Sequence, residues 1–173
     1  MTKISGYNMY SPFKTVNLTT PQSTTSSLSE VKLGSINIPP NTFGVGDVIK
    51  IEVAIKKTGS NGLSSYKLYW NSSDSISSPT PLQMLQYTNV VGTTTTPIFF
   101  SRRASIVTAD GSGNGTFNHL NTDGVYQDYI RIGNYVNTSL AINWTIDSWV
   151  IIAGNVANAS DSINCQWMRV TNG

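Results

Sequence analysis

Ile36–Trp70 reads INIPPNTFGVGDVIKIEVAIKKTGSNGLSSYKLYW, and its period decides the fold. Ile49, Ile51, Val53 and Ile55 alternate with Lys50, Glu52, Ala54 and Lys56. A repeat of two is the mark of a half-buried antiparallel strand, because successive side chains point to opposite faces. Pro39, Pro40, Asn41 and Thr42 form the turn before it, and Gly44, Gly46 and Asp47 lead back into the strand. These residue types tolerate the backbone angles of turns. After the long strand, KKTGSNG reads as a hairpin loop and Ser64–Asn71 as the returning strand. Tyr66, Leu68 and Trp70 then share one face, and Lys67 and Tyr69 the other.

The same grammar runs through the chain. Lys14–Thr20 alternates, with Val16 and Leu18 inward, and Pro21–Ser27 reads as a polar loop. Leu28–Ile38 resumes the alternation through Val31, Leu33, Ile36 and Ile38, with a bulge expected near Gly34–Ser35. Asn71–Pro81 is a long polar loop expected to face outward. Leu82–Val91 and Pro97–Ala109 are strands, the second with Ile98, Phe100, Ala104 and Ile106 in phase. DGSGNG, Asp110–Gly115, is a turn or flexible tip. Asp123–Gly124 reads as a turn, and Gln127–Ile132, Asn143–Ile146, Ser148–Ala157 and Ser162–Thr171 read as strands. No helical period emerges and no fixed-length repeat. The reading is one all-β domain over residues 1–173, an antiparallel β-sandwich of roughly eight to ten strands.

Composition narrows the function classes. Charged residues make up 12% of the 173 residues, about half the usual ~25%. Ser, Thr and Asn supply about a third of the chain. The β-branched and aromatic residues cluster in alternating runs, which disordered segments lack. The formal net charge is +2, and only Lys56–Lys57 and Arg102–Arg103 are adjacent cations. A nucleic-acid protein would carry a basic stripe or a reading motif, so no nucleic-acid partner is expected. No apolar run reaches the ~18–20 residues of a membrane span, and no signal-peptide core stands at the start. Membrane insertion is therefore not expected. Cys165 is the sole cysteine, so no intrachain disulfide forms, which fits assembly in a reducing cytoplasm.

Chemistry-bearing residues are few. Cys165 occupies an alternating position in INCQW and reads as a small buried apolar residue. His119 is the only histidine, and nothing local pairs it with Cys165. Asp47, Asp110, Asp123, Asp147 and Asp161 sit among turn residues and read as turn formers. Asp110-Gly-Ser-Gly-Asn114-Gly lacks the alternating acidic ligands and closing Glu of a calcium loop. A glycosidase would need two carboxylates facing one bond, and no pair here is other than turn-like. Trp70, Trp144, Trp149 and Trp167 lie in or beside strands, where packing is the better reading than sugar stacking. The expectation is a non-enzyme: no catalytic, cofactor or metal residues, and a protein that binds or builds.

Three segments also carry a family resemblance. IPPNTFGVGD (Ile38–Asp47) leading into the amphipathic strand and the KTG loop, PIFFSRRASIVTADGSGNGTF (Pro97–Phe117), and AINWTIDSWVIIAGNVANASDSINCQWMRV (Ala141–Val170) are similar to a domain recurrent in tailed-phage virion proteins. The resemblance covers roughly three quarters of the chain in the expected order. It implies a jelly-roll-like module of a fibre, spike or capsid decoration protein, commonly a homotrimer. It implies other virion proteins as partners, a host-surface glycan as a further one, and a location in the virion after assembly in the host cytoplasm. A bacterial carbohydrate-binding module is the competing class. Met1–Phe13 matches nothing in that pattern, and reads either as a docking arm or as an ordinary first strand.

Overall fold

Alternation in the long central strand is realised side chain by side chain. Ile49, Ile51, Val53 and Ile55 are buried, while Lys50, Glu52 and Lys56 on the other side are half-exposed. The computed structural model describes residues 15–18, 22–44, 46–91, 98–109, 114–119 and 138–172. These form β1 (Thr15–Leu18), β2 (Gln22–Thr25), β3 (Val31–Ile38), β4 (Val48–Thr58), β5 (Leu63–Asn71) and β6 (Leu82–Val91). They continue with β7 (Ile98–Ala109), β8 (Asn114–His119), β9 (Thr138–Asn143), β10 (Ser148–Val156) and β11 (Ser162–Asn172). The protein is all-β, its pairings are antiparallel, and the described residues contain no helix.

Two sheets result. The larger runs β1-β11-β4-β7-β8-β9, with β2 also paired to β11, and the smaller runs β3-β10-β5-β6. One buried cluster draws on both: Leu33, Ile36 and Ile38 of β3, Tyr66, Leu68 and Trp70 of β5, and Val150, Ile152 and Val156 of β10 meet the β4 row and Ile163, Cys165, Met168 and Val170 of β11. Burying such side chains is worth about 1.5–3 kcal/mol each, and this is what selects one register over its neighbour, since a one-residue slip would turn the row to water.

Local chemistry explains the punctuation. Asn41 adopts φ 58 and its N–H bonds to the Trp144 carbonyl at 2.7 Å, tying the Pro39–Thr42 turn to the β9–β10 connection. Gly46 and Gly59 take φ 90 and φ 108, a region glycine enters without a Cβ penalty. The bulge expected near Gly34 is present: Ile152 pairs with Gly34 and Ala153 with Lys32, so Leu33 is the extra residue and stays buried. Gly154 in β10 has a different cause. A Cβ there would lie 2.6 Å from the Ser65 carbonyl oxygen, so the neighbouring backbone needs the space.

Two expectations shift. The polar Pro21–Ser27 stretch contains β2, an edge segment facing Ile163 and Cys165 of β11. The strand expected over Asn143–Ile146 lies earlier, as β9, and residues 144–146 belong to the turn into β10. That turn is capped locally, with the Thr145 N–H and hydroxyl both donating to Asn143 Oδ1. Met1–Phe13, most of the Asp110–Gly115 tip, Asp123–Gly124 and Gln127–Ile132 lie outside the described residues. For β7 the register is described, and it sets Ile98 opposite Ile55 and Phe100 opposite Val53, the phase read from the sequence.

Candidate functional site

The two sheets present outer surfaces of different character. On the smaller sheet, Tyr69, Ile151 and Ala153 form an apolar strip on the side away from the main core. It does not face water. Ile76 from the Asn71–Pro81 loop and Trp149 pack against it. The loop is held down by Lys32–Asp74, at 2.6 Å, which reaches across β10 to β3. Asn71 Nδ2 donates to the Ser75 and Pro79 carbonyls at 2.7 and 3.0 Å, giving the loop a fixed path. The loop thus exposes Ser72, Asp74 and residues 77–80, as expected, but it is a strap rather than a free tip. Glu30 makes a second crossing, accepting from Tyr69 Oη at 2.7 Å and pairing with Lys67 at 2.6 Å. The Glu30 hydrogen bond raises the Lys67 ammonium above its ordinary range.

The outer surface of the larger sheet carries a charged network. Arg169 and Glu52 stand directly opposite in the β11–β4 register. Arg169 Nε and Nη2 both donate to Glu52 Oε2, and Lys50 Nζ lies 2.7 Å from Oε1. Partial burial pushes the Glu52 carboxyl up, but the hydrogen bonds and charges of Lys50 and Arg169 outweigh it and hold it below the usual carboxylate range. The guanidinium lies 5.2 Å from the centroid of Trp167, a cation–π arrangement.

A third cluster was not read from the sequence. Lys57 and Asp161 are both inaccessible to solvent and pair at 2.8 Å. Lys57 Nζ also donates to the Ser60 carbonyl at 2.6 Å, while Asp161 accepts from Ser60 N–H at 2.6 Å and Ser60 Oγ at 3.0 Å. The Lys57 bond, then the Ser60 N–H, hold the Asp161 carboxyl below its ordinary range. This clip joins the β4–β5 loop to the β10–β11 turn. The signal was available, because the β4 alternation places Lys57 in phase with the inward isoleucines. A buried cation needs a partner, and the turn reading of Asp161 hid it.

The other candidates separate. Cys165 is buried, its thiol pushed up to about 11 by burial, and its Sγ donates to the Trp167 carbonyl at 3.5 Å. His119 stands in β8, separated from β11 by both β4 and β7, so the topology does not join it to Cys165. Asp47 accepts from Gly44 N–H at 2.9 Å, a turn contact, whereas Asp147 accepts from the Asn37 side chain of β3 at 3.3 Å, a tertiary one. Glu30, Glu52, Asp74 and Asp161 are each committed to a cation. Trp70 is buried, and Trp144, Trp149 and Trp167 are half-buried. Ile38, Phe43, Trp70, Trp144 and Ile146 line a shallow apolar dimple. Its enclosed space is about that of a single water, far short of the ~300–1,000 Å³ of ligand pockets. Among the described residues no group of three or more His, Cys, Asp or Glu could hold a metal, and no helix is long and apolar enough to cross a membrane. No family model and no curated protein matches the chain.

Proposed function

We propose that this chain is a structural protein of a tailed-phage virion, a jelly-roll-like β-sandwich that assembles as a homotrimer in a fibre, spike or tail-associated module at the host surface. The observation that carries the reading is the nesting of its pairs. β5 pairs with β6, β4 with β7, β3 with β10 and β2 with β11, each pair enclosing the last in sequence. The pairs alternate between sheets, giving β2-β11-β4-β7 in one and β3-β10-β5-β6 in the other. A long hairpin rolled about its own axis yields that order, which supports a jelly roll, with β8 and β9 extending one edge. Jelly rolls recur in viral capsid and lectin domains. The weight on strands, turns and uncharged polar surface supports building and binding over catalysis. A capsid decoration protein is the second reading, because the same module serves a lattice-bound position equally well.

Light scattering after size exclusion tests the assembly, with a trimer expected at three times the 18.8 kDa chain mass. Mass spectrometry of purified particles tests the class, and antibody labelling under the electron microscope separates tail from capsid. A monomer at micromolar concentration that is absent from particles overturns the proposal.

A further inference from the structure

We propose that Asn61 is a self-modifying site, where the chain converts its own side-chain amide, with water, into aspartate and isoaspartate. Asn61 is exposed in the bend between β4 and β5, and glycine follows it. In an Asn-Gly pair no Cβ shields the next amide nitrogen, and glycine's freedom of φ and ψ lets that nitrogen approach the Asn side-chain carbon. The step balances within the chain and water. Gly62 N forms a bond to Asn61 Cγ, the Cγ–Nδ2 bond breaks, and ammonia leaves carrying the former Gly62 amide proton. Water then opens the five-membered imide at one carbonyl or the other, giving aspartate or isoaspartate.

What distinguishes this pair is the path laid for that proton. Gly62 N–H donates to Ser60 Oγ at 3.0 Å, and the Ser60 hydroxyl donates to Asp161 Oδ2 at 3.0 Å. The nitrogen must shed its proton to attack, and here it is already polarised toward a carboxylate through one hydroxyl. Lys57, paired with Asp161 at 2.8 Å, keeps that carboxylate ionised and in place. Lys57 and Asp161 are inaccessible to solvent, whereas Asn61 faces water. The reacting side chain thus meets solvent while the end of its proton path is held in the interior.

The fold itself requires the glycine. A Cβ at position 62 would lie 2.8 Å from Asp161 Oδ2, so the reactive pair is tied to the buried clip. The chain also supplies an internal comparison. Asn114–Gly115 is a second Asn-Gly pair at the start of β8, where Gly115 stands opposite Ala109 of β7 and Ile142 of β9. A strand paired on both sides has to open before its amide can attack. Asn172–Gly173 is a third such pair, with Gly173 outside the described residues.

Conversion acts on the clip. The isoaspartyl product runs its main chain through the former side-chain carbon, which adds a methylene between positions 61 and 62. Either product adds a carboxylate next to Ser60, which holds Asp161 through its N–H and its hydroxyl. The added length displaces Gly62 N–H from Ser60 Oγ, and the added charge opposes Asp161. The β4–β5 loop then loosens its hold on the β10–β11 turn. This inference stands independently of the virion reading.

Incubation of the purified full chain at neutral pH, followed by tryptic mapping, tests it, because Asn61, Asn114 and Asn172 fall in separate peptides. Exchange of amide for acid raises the mass of the peptide that carries it, and an isoaspartyl methyltransferase labels the isomer. In the folded protein Asn61 should convert at least about tenfold faster than Asn114, since only the second waits on local opening. The two rates should converge in urea. Ser60→Ala should slow Asn61 severalfold in the folded protein and leave it unchanged in urea, and Ser60→Thr, which keeps the hydroxyl, should restore the rate. The comparison of Asn61 with Asn114 uses the unaltered chain, so it holds however the variants fold. Converted protein separated by ion exchange should melt about 2–4 °C below the parent, as for the loss of one hydrogen bond. An unconverted Asn61, an Asn114 that converts as fast while folded, a Ser60→Ala protein at the parental rate, or an unchanged Tm would each overturn the proposal.

Discussion

Replacing Gly154 with alanine should destabilise the protein, although the same change in an ordinary strand stabilises it. Strand glycine costs roughly 0.5–1 kcal/mol relative to alanine through the entropy it loses on folding, so the local expectation is a gain. The structure reverses the sign. The added Cβ would stand 2.6 Å from the Ser65 carbonyl oxygen, 3.0 Å from Ile163 Cδ1 and 3.2 Å from Leu33 Cδ1. A carbon–oxygen contact settles near about 3.3–3.6 Å, so the Ser65 backbone would have to retreat by roughly 0.7 Å. It cannot do so cheaply, because β10 lies between β3 and β5 with both ladders formed. Overpacking of this kind costs about 1–3 kcal/mol. Set against the entropic gain, the midpoints of the two ranges leave a net loss of roughly 1 kcal/mol, or about 2–4 °C in Tm for a domain of this size. Gly44→Ala is the matched control, since a Cβ there meets nothing within 4 Å. It should be neutral or stabilise by up to about 1 kcal/mol. Urea unfolding followed by tryptophan fluorescence measures both, and the slope m should be unchanged. A Gly154→Ala protein as stable as the parent, or an equal loss in Gly44→Ala, would refute the close-approach argument.

Three further outcomes are expected. Cys165, buried with its thiol pushed up to about 11, should react with iodoacetamide near pH 8 only as fast as the protein opens, and prompt modification of the native state would contradict its placement. Asp161 has a depressed folded pKa, so its contribution is present above the unfolded value of about 3.9 and lost as pH falls through the folded one. Asp161→Asn should therefore be less stable near neutrality and show a shallower acid limb, and parallel pH profiles for parent and variant would argue against the clip. Tyr66 is pushed up to about 12 by burial, so its contribution is present below about pH 10 and lost as pH rises through about 12. Tyr66→Phe should flatten the alkaline limb, and an unchanged limb would mean that Tyr66 is not the group responsible.

Much of the fold was legible because hydrophobic rows alternate cleanly where both neighbours are strands. The inward phases of β4 and β5 and of Val150 and Ile152 in β10 follow directly from that pattern, and so does the bulge at Leu33, where the alternation slips by one. β2 escaped because QSTT is polar on both faces, and an edge strand satisfies its backbone without a buried row. Lys57 escaped because KKTGSNG reads as a hairpin loop, whereas β4 continues to Thr58 and keeps Lys57 in the inward phase. The strap over Ile151 was hidden for another reason. Ile76 is a single apolar residue in a run of serines, and its role exists only once β5, β10 and β3 lie side by side. The charged network has the same origin, since Glu52 and Arg169 are 117 residues apart and meet only through the register.

Where subunits of the proposed trimer would meet follows from where apolar surface is left. The smaller sheet spends its outer strip on its own strap, leaving Ile151 and Ala153 fully buried within one chain. The described outer face of β4 and β11 carries the Lys50–Glu52–Arg169 network. Among the described residues, exposed large apolar side chains instead sit at the ends of the strands: Leu28 at 59% and Leu63 at 42%, with Val48 and Ile146 less or similarly open. Leu28 and Leu63 flank the same end of β10, one on the β3 side and one on the β5 side. Ser27 and Leu63 carbonyls accept from the consecutive N–H groups of Val156 and Ala157, and Asn155 Nδ2 bonds the Leu28 carbonyl at 3.1 Å. Apolar residues clustered at one end of a β domain suit the desolvated centre of a contact with a second copy. Leu28→Ser with Leu63→Ser should therefore dissociate the trimer at micromolar concentration while leaving Tm of the separated chain nearly unchanged, because neither side chain is in the core. Lys50→Gln with Lys56→Gln, on the outward phase of β4, should leave the trimer intact. Light scattering distinguishes the two: a trimer that survives the leucine changes and falls apart with the charge changes would move the contact onto the larger sheet and remove that face from solvent.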